Sequence, residues 1–336
     1  RPPRSTLFPY TTLFRSLSDG EEVAAGYKPL LYTMPIYVAP SGNDADDGQS
    51  EANPKQSIGS ALALSNPYVE TIIHVAAGTY SGENNRNLSF AGNLIKLCGA
   101  DMATTIIDLQ NLGHFLTIEN SETVDGWIDG FTIKNGTATA DGLAVTVKNS
   151  ELVIKNCIFR DNTLAVGSSS YQYPCAPLYV YNGKVKISNC HFLNNSVAVA
   201  SDSEYMMNPG EGYAGAIYLT DNAVMDMANC EIRDNACSKT GAVHIAGAIL
   251  NAERSIFAGN SSTARRTFSG GYEYMPTGVG GIAVQNGWAA AESTQLNMEN
   301  CLLLNNYVHT NYSDIYQDYD TIVNLKSVTM FAAPSM

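Results

Sequence analysis

Three stretches of this 336-residue sequence gather side chains that could handle a sugar. The first carries Tyr171 and Tyr173. The second carries Tyr205 and Tyr213 among Asp202, Glu204 and Glu211, and the third carries Tyr272, Glu273 and Tyr274 after Arg265 and Arg266. Aromatic faces take up the apolar C–H faces of pyranose rings, while carboxylates and guanidiniums hydrogen-bond the hydroxyl rim. The same tyrosines could instead pin loops to the surface beneath them. A second group, Asp44, Asp46 and Asp47 ahead of Gly48, offers the hard oxygen ligands that calcium takes. It lacks the distal glutamate of an EF-hand, and a Gly/Asp-rich turn accounts for it equally well. The five histidines (His74, His114, His191, His244 and His309) form no Ser-His-Asp grouping, and His191 and His244 fall at outward strand positions. Seven cysteines without a Cys-x-x-Cys pair argue against structural zinc.

These residues must be positioned by a repeat. Val153-Ile154-Lys155-Asn156-Cys157-Ile158-Phe159-Arg160-Asp161-Asn162 recurs as Lys186-Ile187-Ser188-Asn189-Cys190-His191-Phe192-Leu193-Asn194-Asn195. Further copies begin at Asp226, Asn251 and Asn297, and the one at Asn251 is degenerate, with Ser255 in the cysteine position. Within a copy the apolar residues alternate, as in Leu152 and Ile154 and then Cys157 and Phe159, which is the period of a strand with one buried face. The phase slips by one residue between Ile154 and Cys157, so the chain turns a corner there. Asn156, Asn189, Asn229 and Asn300 occupy that corner, and asparagine tolerates the left-handed backbone a tight corner uses. Asn162, Asn195, Asn235, Asn260 and Asn306 mark a second corner, where stacked amides can form hydrogen-bonded ladders.

A third strand precedes each copy, as in Leu178-Tyr179-Val180 and Ile217-Tyr218-Leu219, introduced by small residues such as Gly215-Ala216, Gly241-Ala242 and Gly280-Gly281. Three short strands per coil of roughly two dozen residues describe a parallel β-helix, not a sandwich. Cys157, Cys190, Cys230 and Cys301 then read as small buried hydrophobes in a vertical stack, and Cys175 and Cys237 lie off it as the better candidates for a disulfide or a free thiol. From the second corner to the next strand the chain is short in most coils and long in three. The inserted segments 163–176, 196–214 and 261–277 leave the same corner, so they share one edge of the solenoid, and they hold the tyrosines, carboxylates and arginines described above.

Upstream, Ile36-Tyr37-Val38-Ala39-Pro40-Ser41-Gly42-Asn43-Asp44 leads through Ser57-Ile58-Gly59-Ser60-Ala61-Leu62 to Thr71-Ile72-Ile73-His74-Val75-Ala76-Ala77-Gly78-Thr79-Tyr80. This order resembles the opening of pectate-lyase-fold proteins: a strand, a Gly/Asp loop, a capping helix and a strand ending in Gly-Thr-Tyr. The later coils, pairing Gly215-Ala216-Ile217-Tyr218 with the Asn-Cys-x-Phe-x-x-Asn pattern, resemble repeats of the polymorphic outer-membrane protein family. The resemblance implies an all-β, right-handed, single-stranded parallel β-helix with an N-terminal capping helix. That fold hosts lyases, hydrolases, esterases, adhesins and phage tailspikes, so it leaves the activity open. A lyase of this kind would need a base for the proton beside the uronate carboxylate and calcium to acidify that carbon. Arg265 or Arg266 would be the base, and Asp202, Glu204 or Glu211 would hold the ion. No close aspartate pair on a coil strand stands out for a hydrolase.

A net charge of −13 argues against nucleic acid as a partner, and no stretch approaches a membrane-spanning run of roughly 18 apolar residues. Residues 6–16 read as the translation of a common sequencing adapter, so 1–16 are expected to be an artefact and 17–35 the remnant of a truncated segment that held any export signal. The β-helix is expected over 36–336, with a cap region at 36–80 and coils over 81–336. The leading expectation is an exported bacterial surface or secreted protein, monomeric and requiring no cofactor. It would bind polysaccharide or a host or cell-surface ligand through the inserted edge. The alternatives are a calcium-dependent polysaccharide lyase and a non-catalytic adhesin passenger or rigid stalk.

Overall fold

A strand whose residues face alternately in and out can wind into a solenoid only if every coil turns sharply at the same places. The computed structural model describes residues 32–123, 125–137, 141–166, 175–199, 214–237, 239–262, 267–269, 272–274, 278–287, 293–308, 311–312 and 314–331. Among them, sheets of ten, nine, eight and six strands run along the molecule, each pairing the equivalent strand of successive coils almost wholly in parallel. In one coil the ten-stranded sheet takes Lys184–Ser188, the nine-stranded sheet His191–Leu193 and the six-stranded sheet Ser196–Val199. The next strand, Ile217–Thr220, enters the eight-stranded sheet. The chain is a right-handed parallel β-helix. Among the described residues five of the coils have a fourth short strand where the sequence pattern gave three, because pieces as short as Ala236–Cys237 carry no readable alternation.

Both corners are asparagine devices. Asn156, Asn189, Asn229 and Asn300 have φ of 49°, 51°, 54° and 53°, and Arg254 takes the same conformation (47°) in the degenerate copy. At the second corner the left-handed residue is the one before the ladder, namely Asp161, Asn194, Asp234, Gly259 and Asn305. This frees the ladder amides to point inward. Asn162 Nδ2 donates to Asn195 Oδ1 (2.9 Å), Asn195 to Asn235 (2.8 Å), Asn235 to Asn260 (2.9 Å) and Asn260 to Asn306 (2.8 Å). The column ends on Asp314 Oδ1 (2.8 Å from Asn306 Nδ2), whose carboxyl is pushed up by burial. The small lead-in residues are required by close approach: a Cβ on Gly215 would lie 2.1 Å from the carbonyl oxygen of Gly241.

Inside, one side-chain column per strand position fills the solenoid. Phe159 and Phe192 stack at 4.6 Å with planes 3° apart, and the column continues through Ile232, Phe257 and Leu303. Cys157, Cys190, Cys230 and Cys301 are buried, each with Sγ donating to the carbonyl two residues back, and Ser255 Oγ makes the same bond (2.9 Å) in the degenerate copy. Burial pushes the Cys190 thiol well up, which keeps it inert. Cys175 and Cys237 are buried with Leu143 and Val197 in a satellite apolar cluster.

The first strand, Thr33–Val38, begins ahead of Ile36 and pairs in parallel with Glu70–Val75. As the edge strand it tolerates Pro35, which has no N–H to donate. The capping helix is one short turn, Ile58–Leu62, with Ser57 as N-cap.

Candidate functional site

On the ten-stranded sheet, inward residues such as Ile154, Ile187 and Met227 are buried, and two of the outward columns flank them. The first runs Lys96, Trp127, Val153, Lys186, Asp226, Asn251, Asn297, Asn324. The second runs Cys98, Asp129, Lys155, Ser188, Ala228, Glu253, Glu299, Lys326. The N-terminal half of this face is closed by its own side chains. The Trp127 ring lies between the ammonium groups of Lys96 and Lys155, each 4.3 Å from its centroid. Lys155 pairs with Asp129 at 3.2 Å, and Lys96 pairs with Glu70, whose carboxyl the Lys96 ammonium holds below its usual range. Further toward the N-terminus the second column continues as His74 and Tyr37, whose rings stack on each other at 5.2 Å.

The C-terminal half is open. From Lys186 to Lys326 the face forms a groove of about 800 Å³ lined by five successive strands. An amide ladder runs along its floor. Asn324 Nδ2 donates to Asn297 Oδ1 (2.8 Å), Asn297 to Asn251 (2.8 Å), and Asn251 to the Asp226 carboxylate (2.9 Å). Each ladder asparagine spends one N–H on its neighbour, so one N–H and a carbonyl lone pair per rung remain for a ligand. Beside it stand two carboxylates, Glu253 paired with Arg254 and Glu299 paired with Lys326. The arrangement can hydrogen-bond hydroxyls at every coil.

The fold is a parallel β-helix, and several solved structures resemble it. The chain is similar to a rhamnogalacturonan lyase at 13% identity and TM-score 0.42, covering 87% of each chain. A pectin methylesterase in complex with a hexasaccharide is similar at 11% identity and TM-score 0.44, over 86% of this chain and 92% of that one. Pectate lyase Pel9A is similar at 16% identity and TM-score 0.39, over 87% of this chain and 80% of that one. No protein-family model matches the chain, and no curated protein matches it in sequence.

The three aspartates of the Gly/Asp loop do not converge. Asp44 is spent on the cap: its carboxylate accepts from the Gln56 and Ser57 amides (2.9 and 2.8 Å) and from Ser57 Oγ (2.8 Å). Burial raises its pKa, but these bonds outweigh that and hold it below the usual range. Asp47 accepts from the Gln49 amide in its own turn. Among the described residues no three His, Cys, Asp or Glu side chains are grouped to hold a metal ion.

Of the inserted edge, the structure describes the roots. The departing strands Thr163–Val166 and Ser196–Val199 pair in register, and the returning residues Ala214, Thr240 and Val279 bridge one another in parallel. Tyr272 and Tyr274 lie on a short antiparallel pair of strands, Thr267–Ser269 with Tyr272–Tyr274. Tyr171, Tyr173, Tyr205, Tyr213, Asp202, Glu204, Glu211, Arg265 and Arg266 fall outside the described residues.

The sequence did not reveal what surrounds those roots. Tyr179, Tyr218 and His244 form an outward column on the eight-stranded sheet, yet His244 is only 1% exposed. Its ring meets Tyr218 edge-on at 5.1 Å, Thr240 Oγ1 lies 3.0 Å from its Nδ1, and Lys239 is buried nearby. Burial, with the Lys239 charge, pushes the imidazole pKa well down. Outward orientation therefore did not mean exposure here. The groove was also missed, although its signal was present: Asp226, Asn251 and Asn297 are each the first residue of their repeat copy.

Proposed function

We propose that this chain is an exported surface or secreted β-helix that binds polysaccharide. The observation carrying this reading is the open groove on the ten-stranded sheet, with its row of partly satisfied amides at coil spacing. The inserted edge, with Tyr171, Tyr205 and Tyr272, is a second contact surface in the same reading. Glycan-array binding tests both. Replacing Asn251 and Asn297 together by alanine should weaken binding about tenfold, since each rung supplies about one net hydrogen bond. Unchanged affinity in that variant would remove the groove from the reading. A separate Tyr171, Tyr205 and Tyr272 alanine variant reports on the edge in the same way.

The lyase alternative needs a side chain able to accept a proton. In the groove Lys326 is engaged with the Glu299 carboxylate, and at its margin Arg254 is engaged with that of Glu253. Incubation with pectate or alginate, with and without calcium, is expected to give no rise in the ultraviolet absorbance of unsaturated uronate. A rise in any condition would replace binding with elimination as the function.

A further inference from the structure

We infer that the ligand of this groove is a neutral, extended hexopyranose chain lying along the solenoid axis with one sugar unit per coil. The inference rests on the polysaccharide-binding reading and narrows it by charge and by spacing.

The charge argument comes from the groove itself. Lys186 and Lys326 face Asp226, Glu253 and Glu299, with Arg254 at the margin, so the lining offers no positive excess to a polyanion. The net charge of the chain, −13, repels one from a distance. Basic side chains sit on this face in the N-terminal half too, but Lys96 and Lys155 are locked against Trp127, Glu70 and Asp129. What the groove offers in quantity is amide groups, which donate to and accept from hydroxyls without preferring either charge.

The spacing argument comes from the ladder. Asp226, Asn251, Asn297 and Asn324 occupy one register position on four adjacent parallel strands. Such strands lie about 4.8 Å apart, close to the length of one extended β-1,4-linked hexopyranose unit. A chain laid along the ladder meets a donor–acceptor pair at each of the three asparagine rungs and an acceptor at Asp226. Ladder polarity adds direction: every amide donates toward Asp226, so the floor ends in a carboxylate at one end and in the Asn324 carbonyl at the other.

Calorimetric titration with β-1,4-linked gluco-oligosaccharides, from the disaccharide to the hexasaccharide, and with hexagalacturonate tests this on the full chain. The neutral hexasaccharide is expected to bind at least tenfold more tightly than hexagalacturonate. Affinity should rise with each unit up to the tetrasaccharide and then level off, since the ladder has four rungs. In Asn297→Leu, which leaves the buried core untouched, the gain per unit should stop at the break. Equal or tighter binding of hexagalacturonate, or a plateau at the disaccharide, overturns the inference and leaves polysaccharide binding standing. Absence of any binder on the glycan array overturns both.

Discussion

Replacing Asn235 by alanine is expected to cost about 3–5 kcal/mol of unfolding free energy, most of it from polar groups stranded inside the solenoid. Asn235 is fully buried and sits mid-ladder. Its Oδ1 accepts from both the backbone N–H and Nδ2 of Asn195 (3.1 and 2.8 Å), and its Nδ2 donates to the Phe192 carbonyl (2.9 Å) and to Asn260 Oδ1. Alanine leaves two N–H groups of Asn195 without partners, and takes one donor from the Phe192 carbonyl, where water has no ready access. Each orphan costs about 1–3 kcal/mol. The loss also uncouples neighbouring coils, on which a solenoid depends for nearly all its stability. The outer ladder supplies the control. Asn297→Ala removes the same kind of bond, but its partners can turn to solvent, so the expected cost is under about 1 kcal/mol. Urea denaturation of the two variants followed by circular dichroism separates the cases. Similar losses in both would show that burial is not what gives the inner ladder its weight.

The two ladders also show which parts of this molecule could be read in advance. The inner one was legible because the same asparagine recurs at a fixed place in each copy, where stacked amides can bond one another. Arg254 marks the limit: it adopts the left-handed corner with Nε bonded to Asn229 Oδ1 (2.9 Å), and no residue preference announces that. The outer ladder was harder to see. Val153 and Lys186 hold the same repeat position in earlier coils, so the run from Asp226 to Asn324 emerges only once the strands are stacked. Trp127 was likewise invisible as a plug, because its two lysines come from different coils. Alternation tells which way a side chain points. It is silent on what lies above it, and for that reason His244 reads as a surface residue and is not one.

That burial has a consequence in pH. Below about pH 6.5, stability is expected to fall by up to about 1.4 kcal/mol per pH unit, with His244 as the source. In the unfolded chain the imidazole takes up a proton near its ordinary value. In the folded chain it is held neutral between Tyr218 and Thr240, with the Lys239 charge close by and no carboxylate bonded to it among the described residues. The unfolded state therefore binds more protons over the whole window between the ordinary pKa and the depressed one. Stability from this group is complete above the window and drains as the pH falls through it. The carboxylates act elsewhere. Glu70, held low by Lys96, and Asp44, held low by Ser57 and Gln56 against its burial, lose their contribution only below about pH 4.5. Asp314, raised by burial, has the opposite sign, since acid favours its folded form. His244→Phe keeps an aromatic ring at the edge of Tyr218 and removes the titration, so its urea midpoint should be flat between about pH 7.5 and 5.5 while that of the parent declines. A parent midpoint that stays level across that range, or a variant that declines in parallel, would move the acid sensitivity away from His244. The residues that report it should be Thr240, bonded to the ring, and its bridge partners Ala214 and Val279 at the inserted edge. Their amide exchange should quicken first, ahead of the core columns, because a charge forced beneath that edge is relieved most cheaply by opening it.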